Sequence, residues 1–372
     1  MRRLLVVLVA AAAAWPASAA QPQFWRLEGS QDFLAGEARG LSIDSQGRVR
    51  LAPTSRLIYT PETPYVWALA REGKDGALYA GTGNDGKVFR IEGDKGTLFY
   101  DAPEVEVHAL AVGRDGRVYV GTSPEGKVWA VGRDGKAEVF FDPSEKYIWA
   151  LEFDPQGRLL VATGGEGRIH RVDKDGKGST LLSTAETHVT SLAVDAAGHV
   201  FAGSAPEGIV YRIDAAGKVF VLHDAPYREV KALAVGADGS LYAAVVEGKD
   251  KADLAVPAAA PVPVVPVQPT AEVTVTETFT VPTVTAMPPQ STTVRPAAPV
   301  AGGAAKGGLL RIAPSGEVDT VWSSTEETPH SVVATPEGVL VGTGDKGHVY
   351  RIRDDRTWSM VATLPAEQVT AI

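Results

Sequence analysis

The sequence predicts an all-β fold made of a repeated four-stranded antiparallel unit. A Gly-Thr dipeptide, or a close variant of it, recurs every 40 or 41 residues between positions 81 and 244. Apolar and polar residues alternate with a period of two between these dipeptides, which is typical of half-buried strands. Asp-Gly and Asn-Asp-Gly sequences separate the strands and suit tight turns. Four short strands in about 41 residues predict a β-propeller blade. The first residues of the dipeptides are Gly81, Gly121, Ala162, Gly203, Ala244 and Gly342.

The spacing predicts a seven-bladed propeller of six complete repeats plus terminal strands. The last interval, from Ala244 to Gly342, is 98 residues, which equals one period and an insertion of about 57. The chain without this insertion has room for about seven units. Residues 369–372 match the first strand of the fourth unit, residues 189–192, and stop there. We assign residues 65–372 to the propeller repeats.

Two arrangements of the N-terminal residues 21–64 remain open. Residues 47–51 and 56–59 are candidate strands that could complete the last blade with residues 369–372 and close the ring. An open edge strand promotes association, so a ring gains from such closure. Residues 41–44 instead resemble the first strand of a unit of their own, and the repeats would then continue beyond Ile372.

Residues 249–306 interrupt the repeat within the fifth blade. Ten of the 25 prolines lie between positions 251 and 300, and the rest of this stretch is mainly Val, Thr and Ala. Such a composition does not pack a core and predicts a disordered, linker-like insertion between the second and third strands of that blade. Residues 273–281 alternate well enough to form a local strand.

Residues 1–20 predict a cleaved signal peptide and therefore an exported protein, in the periplasm or outside the cell. Arg2 and Arg3 precede an apolar run at 4–14, and Ala17-Ser18-Ala19 forms a small-x-small cleavage pattern. The apolar run is shorter than the roughly 20 residues that a spanning helix needs. We expect no stable membrane insertion after cleavage.

Composition excludes several functions. The chain has no cysteine, which excludes disulfides, thiolate metal sites and a cysteine nucleophile. Its formal charge of −9, which becomes −11 without Arg2 and Arg3, argues against a nucleic-acid partner because such proteins present a basic face.

Candidate binding residues stand where each first strand begins, at one mouth of the propeller. Two columns there hold aromatic, acidic, basic or imidazole side chains on the same side of their strands. They suit an unknown small polar or sugar-like ligand, or a protein partner. The alternative is packing between neighbouring blades. The columns contain Tyr65, Trp67, Glu106, His108, Tyr147, Trp149, His188, Glu229, Lys231 and His330, with Thr190, Thr328, Gln368 and Thr370 at the other places.

A second set of candidates is an acidic rim on the turns between second and third strands of the first four units. Four carboxylates around one mouth could bind a cation or a basic partner. Solvated turn residues are the alternative, because such turns prefer polar side chains. The rim consists of Asp85, Glu125, Glu166 and Glu207, with Lys346 at the equivalent place in the sixth unit.

Three segments carry a family resemblance: residues 75–82 (Asp-Gly-x-Leu-Tyr-x-Gly-Thr), 86–91 (Gly-Lys-Val-x-Arg-Ile) and 173–177 (Asp-x-x-Gly-Lys). The repeat resembles that of the bacterial NHL, virginiamycin-lyase-like and ligand-binding-sensor propellers, over residues 65–246 and 309–372. It is less similar to WD40 repeats. The resemblance implies the propeller fold and leaves function open, since unrelated activities share these turns and strand cores.

Three functions remain. The first is a non-catalytic module that binds or senses a ligand or interacts with a protein; we predict no catalytic residue, metal or cofactor for it. The second is a metal-dependent lyase or lactonase, for which His108, Glu106, His188 and His330 are the candidates. The third is a structural scaffold. The sequence contains no Gly-x-Ser-x-Gly, His-Glu-x-x-His or phosphate-loop motif.

Overall fold

The computed structural model describes residues 26, 29–34, 36, 38–248, 305–353 and 357–372, and within them it is almost entirely antiparallel β-sheet. The predicted all-β propeller-like fold is confirmed. The predicted signal peptide, the candidate strand at 273–281 and nearly all of the insertion lie outside the described residues. None of the helices in the described part is long and apolar enough to cross a membrane. The helix is α1 (Ser30–Leu34).

The repeats form six four-stranded antiparallel units within the described residues, and we number the strands of each unit first to fourth in chain order. The first three units contain β3 (Val66–Arg71), β4 (Leu78–Thr82), β5 (Lys87–Glu92) and β6 (Lys95–Asp101); β7 (Glu106–Val112), β8 (Val118–Ser123), β9 (Val128–Val131) and β10 (Ala137–Phe141); β11 (Tyr147–Phe153), β12 (Leu159–Gly164), β13 (Arg168–Val172) and β14 (Gly178–Ser183).

The fourth unit joins the third through a single pair, Gly164 with His188. The last three units contain β15 (His188–Val194), β16 (Val200–Ala205), β17 (Ile209–Ile213) and β18 (Val219–Asp224); β19 (Tyr227–Val235), β20 (Leu241–Gly248), β21 (Gly307–Ile312) and β22 (Val318–Ser324); β23 (Pro329–Thr335), β24 (Gly338–Thr343), β25 (His348–Ile352) and β26 (Trp358–Thr363).

The first strands pack side by side along the chain, β3 against β7, β7 against β11, β11 against β15, β15 against β19 and β19 against β23. Five apolar clusters of mainly Val, Leu, Ile, Ala and Tyr fill the spaces between successive units. Residues 369–372 lie between the last unit and the first: the Val369 amide donates to the Thr343 carbonyl at 3.0 Å, and the Thr370 hydroxyl donates to the Val66 carbonyl.

The glycine of the Gly-Thr dipeptide is required by the close approach of neighbouring sheets. A Cβ on Gly203 would overlap the side chain of Val230, which lies on the first strand of the next unit. Gly81 and Gly342 have the same relation to Val107 and Val369. The sheets therefore pack glycine against a branched side chain near the axis.

The threonine of the dipeptide stabilises the turn between the second and third strands. The buried Thr82 hydroxyl donates to the Lys87 carbonyl at 3.0 Å. The same bond, at 3.1 to 3.2 Å, recurs from Thr122, Thr163, Ser204 and Thr343. In the fifth unit the insertion takes the place of this turn, and an apolar residue, Val245, stands where the hydroxyl would be.

The N-terminal strands pair differently from the arrangement that would complete a seventh blade. β1 (Leu41–Asp44) pairs with β2 (Val49–Leu51), and β1 also pairs with β26, so the sixth sheet has six strands. Residues 56–59 form no strand. β1 takes this position because the outer edge of β26 offers it a backbone partner, and Ile43 there joins the apolar cluster of the sixth unit.

Residues 249–304 separate β20 from β21 in the chain, and these two strands pair with each other. β20 and β21 pair from Leu241 and Ile312 up to Val246 and Gly307. Beyond that ladder, the Glu247 amide donates to the Lys306 carbonyl at 3.0 Å and the Gly248 amide to the Ala305 carbonyl at 3.2 Å. Gly248 and Ala305, which flank residues 249–304, therefore lie beside each other.

Replacing residues 249–304 with a four-residue glycine-containing turn should leave the fold intact and raise the free energy of unfolding by about 2 kcal/mol, because each halving of a loop saves roughly 0.6 kcal/mol of closure entropy. Urea unfolding followed by tryptophan fluorescence measures the change. A large loss of stability in the shortened chain would contradict this expectation.

Gly203→Ala should lower the free energy of unfolding by about 1–3 kcal/mol, because the new methyl group overpacks the contact with Val230. Gly29→Ala is the control, since a Cβ there meets no atom within 4 Å. Denaturant midpoints of both variants test this, and equal midpoints would show that the sheets are not held at close contact.

Candidate functional site

Rings from consecutive units meet where the first strands begin. Tyr65 stacks on Trp67 with centroids 5.6 Å apart and planes 5° from parallel. Trp67 contacts His108 of the second unit at 5.9 Å, and His108 contacts Trp149 of the third unit at 4.7 Å. Because each contact joins one unit to the next, the rings form a surface that spans three units.

The surface continues into the fourth unit. Tyr147 stacks on Trp149 at 5.1 Å, and the His188 ring meets Trp149 edge-on at 5.6 Å. The Trp149 indole N–H donates to His188 Nδ1 at 3.0 Å. Since an indole nitrogen only donates, His188 Nδ1 must be unprotonated, and burial agrees with this by lowering the pKa of His188. We name Tyr65, Trp67, His108, Tyr147, Trp149 and His188 the aromatic cluster.

Glycines that directly follow the Gly-Thr position make room for the largest of these rings. A Cβ on Gly83 would collide with the Trp67 indole nitrogen, and one on Gly164 would collide with Trp149 and His188. Gly344 has the same relation to His330, where a Cβ would lie 2.5 Å from Nε2. A large ring near the start of the first strand occurs together with a glycine directly after the Gly-Thr position. This pattern is visible in the sequence, but we did not use it to predict the site.

Charged groups complete the site. His108 Nε2 lies 2.9 Å from Glu106 Oε2, and Lys231 donates to Glu229 at 3.1 Å. Burial lowers the pKa of His108, although Glu106 opposes the shift, and the positive charge of Lys231 lowers it further. The pKa of His330 is also lowered by burial and then by Lys231.

Lys231 of the fifth unit therefore lowers the pKa of a histidine in the second unit and of a histidine in the sixth unit. Glu229 also acts on His188, where its charge raises the pKa against the larger effect of burial. The predicted columns thus converge on one region. Thr190 differs, because its hydroxyl donates to the Val230 carbonyl at 2.7 Å and so joins two units.

The aromatic cluster is partly open. Tyr65 is 45% exposed, and the other five rings are partly exposed. The Trp67 indole nitrogen is buried, yet it is among the few buried polar side-chain atoms of the described residues that have no hydrogen-bond partner. A buried donor without a partner costs about 1–3 kcal/mol.

The acidic rim is largely neutralised by its own turns. Glu125 pairs with Lys127 at 2.7 Å, and Glu166 pairs with Arg168 at 3.4 Å. Asp85 lies 3.3 Å from Lys87. Glu207 is exposed, and in the sixth unit Lys346 pairs with Glu326 at 2.6 Å. In the first three units, a cation two residues further along the chain balances the rim carboxylate.

No three His, Asp or Glu side chains of the described residues lie close enough together to hold a metal ion. His108, His188 and His330 begin the first strands of alternate units, the second, fourth and sixth.

Sequence reasoning missed a column of buried glutamates at this end of the sheets. Glu104, Glu145, Glu186 and Glu327 lie on the connections that precede first strands, and each is less than 9% exposed. Each interacts with the third strand or the preceding turn of its own unit. Trp129 donates to Glu104 at 3.3 Å, His170 lies 3.2 Å from Glu145, and the Glu207 amide donates to Glu186 at 2.9 Å.

The most complete of these networks is in the sixth unit. Glu327 accepts from Thr343 at 2.6 Å and from the Tyr350 hydroxyl at 2.9 Å, and it lies 3.0 Å from His348 Nδ1. Burial acts to raise the pKa of Glu327, but these hydrogen bonds outweigh it and hold the pKa below the ordinary value. The same carboxylate and burial raise the pKa of Tyr350.

A buried glutamate precedes the first strand only in the units whose third strand carries a Trp, His or Tyr side chain at one particular position. At the ring position the second, third, fourth and sixth units have Trp129, His170, Tyr211 and Tyr350. The first and fifth units have Phe89 and Leu310 there, and Thr63 and Tyr227 stand in place of the glutamate. This correlation between two positions is the signal that identifies the column from sequence.

The comparisons with known proteins identify the fold. No family model and no curated protein matches the chain. Among solved structures, a streptogramin B lyase covers 82% of this chain and 85% of its own with a TM-score of 0.58 and 12% identity. The virginiamycin B lyase of Staphylococcus aureus covers 81% and 85% with a TM-score of 0.56 and 13% identity.

A third similar structure is the hydrazine synthase of Kuenenia stuttgartiensis, which covers 78% of both chains with a TM-score of 0.52 and 15% identity. These likenesses confirm the predicted resemblance at the level of architecture. At 10–15% identity they show the fold alone. The chain has the β-propeller fold that the virginiamycin B lyases also have.

Glu327→Gln should lower the free energy of unfolding at pH 7 by about 1–3 kcal/mol, because charge-assisted bonds to a buried carboxylate are lost. The folded-state pKa of Glu327 lies below the ordinary 4.5, so its stabilisation is complete above that pH and is lost as the pH falls through the folded-state value. The difference from the parent protein should therefore shrink below pH 4.5. Urea unfolding as a function of pH measures it. The exposed Glu317→Gln is the control, and a pH-independent difference would contradict the assignment.

Proposed function

We propose that this chain is an exported, non-catalytic propeller that binds a small, neutral, hydroxylated ligand such as a saccharide on the aromatic cluster. The observation that carries the proposal is the continuous, partly exposed surface of six rings from four consecutive units. Sugar rings present C–H faces that stack on aromatic rings, and their hydroxyls both donate and accept hydrogen bonds. The support for export is the signal-peptide pattern of residues 1–20.

The polar groups beside the rings favour an uncharged ligand. Burial lowers the pKa of His108, His188 and His330, so these imidazoles are neutral at pH 7. One nitrogen of each ring is already bonded, to Glu106, Trp149 and Thr328 respectively, so each ring keeps one nitrogen for a ligand. Lys231 is already paired with Glu229. Such a set suits several hydroxyl groups better than a single strong charge.

We also infer that the propeller ring has seven blade positions. Residues 369–372 occupy the position of the first strand in the seventh blade. The support is a pair of contacts that repeats elsewhere. The Ser331 hydroxyl donates to the Val369 carbonyl at 2.9 Å, as the Ser191 hydroxyl donates to the Val230 carbonyl at 3.0 Å. Gly342 packs on Val369 as Gly203 packs on Val230.

Trp149→Ala should abolish saccharide binding or weaken it at least about tenfold, because it removes the central ring of the cluster. The mature chain is screened on a panel of neutral oligosaccharides, including plant and fungal glucans. Binding is quantified by calorimetry and by the change in tryptophan fluorescence.

The control is Phe220→Ala, which removes a partly exposed aromatic ring from the fourth strand of the fourth unit. Phe220 packs against Arg212 and Lys218, outside the cluster. Absence of binding to every saccharide, or equal affinity of the Trp149 variant, would overturn the proposal. A melting temperature that rises with Mg²⁺ or Ca²⁺ and falls with chelator would favour a metal-dependent enzyme instead.

A further inference from the structure

The opposite end of the first two units holds a cleft with an unusual set of charges. Its volume is about 320 Å³, and its walls are the ends of the first strands β3 and β7 and the turns that follow them. Because β3 is 6 residues long and strands rise about 3.3 Å per residue, this cleft is roughly 15 Å or more from the aromatic cluster. The polar residues that line it are Arg71, Glu72, Arg114, Asp115 and Arg133.

Both carboxylates of the cleft already have partners. Glu72 pairs with Arg133, which crosses from the second unit to the first. Asp115 accepts from Arg117 Nε at 2.7 Å and from the Tyr119 hydroxyl at 2.9 Å. The Arg133 guanidinium also lies over the Gly116 backbone, 3.0 Å from where a Cβ would stand. The acidic groups are thus held in place and neutralised.

The side chains of Arg71 and Arg114 remain exposed in the same cleft. Within the described residues neither guanidinium group has an ion-pair or hydrogen-bond partner. Two guanidinium groups on one concave surface repel each other, and an anion between them removes that repulsion. Each guanidinium presents a planar fork of donors that matches a phosphate or carboxylate. The excess positive charge stands out in a chain of formal charge −9.

Both arginines also depart from the repeat. The residue at the end of the first strand, where Arg71 stands, is Val112, Phe153, Val194 or Val235 in the next four units. The turn residue equivalent to Arg114 is Pro155, Ala196, Ala237 or Pro336 in the later units. The third, fourth and fifth units therefore have apolar or small residues at both positions, whereas the first unit has cations at both, Arg71 and Lys74, and the second has Arg114 in the turn.

We propose that this cleft is a second binding site, which takes a small multivalent oxyanion between Arg71 and Arg114. Phosphate and carboxylate groups share the chemistry that these forks recognise. A cavity of about 320 Å³ admits a small molecule carrying two or three such groups. The site is independent of the aromatic cluster and of the ligand proposed there.

Calorimetry of the mature chain with pyrophosphate and with citrate, at low and at moderate salt, tests the site. We expect saturable binding of at least one probe that weakens as salt rises. Binding of pyrophosphate alone assigns a phosphorylated ligand, and binding of citrate alone assigns a polycarboxylate. No binding of either probe at millimolar concentration would overturn the proposal.

Arg71→Ala and Arg114→Ala should each reduce affinity about tenfold, and Arg71→Lys should recover only part of the loss because it restores the charge without the fork. Arg50→Ala is the matched control, since Arg50 is an exposed arginine of β2 away from the cleft. An equal loss in the Arg50 variant would mean general attraction to the protein and would also overturn the proposal. The variants replace exposed side chains, and unchanged urea midpoints confirm that they fold.

Discussion

The contact between a glycine on one sheet and a branched side chain on the next sets the geometry of the whole molecule. Gly81, Gly121 and Gly203 each lack the atom that would push away the first strand of the following unit, and Gly342 lacks it opposite Val369. Close sheets let Val, Ile and Leu interdigitate with few voids. They also bring His108 within 6 Å of both Trp67 and Trp149, so that rings of three different units meet. Without that spacing there would be no continuous surface of rings.

The repeat separates architectural positions from positions that are free to vary. The glycine packs against the neighbouring sheet in the units that have it, and the Thr or Ser hydroxyl stabilises the turn in every described unit except the fifth. The buried glutamates vary in a coupled way, since they occur only where the third strand supplies a Trp, His or Tyr donor. The aromatic cluster and the arginine cleft lie at the two ends of the sheets, where the repeat no longer dictates side-chain identity.

Much of the fold could be predicted because strand alternation and turn residues are local signals that recur six times. The site columns could be located for the same reason, since the starts of equivalent strands must meet at one end. The partner of β1 could not be predicted, because the alternation of residues 41–44 defines a strand without defining which edge it joins. The buried glutamates were missed because a carboxylate on a connection between strands is normally expected to be solvated. Only its correlation with a ring on the third strand indicates that it is buried. The glycines at 83 and 164 were missed because the space they leave is visible only once the indoles are in place.

Residues 249–304 separate two parts of the polypeptide, and these parts are hydrogen-bonded to each other through strands β20 and β21. Each piece contributes strands to the fifth sheet, and the ladder between β20 and β21 joins them over six residue pairs. The units on either side also pack against one another through the first strands. A protease cut inside that stretch would therefore leave a nicked but assembled body. The two pieces made as separate polypeptides form a natural pair for fragment complementation.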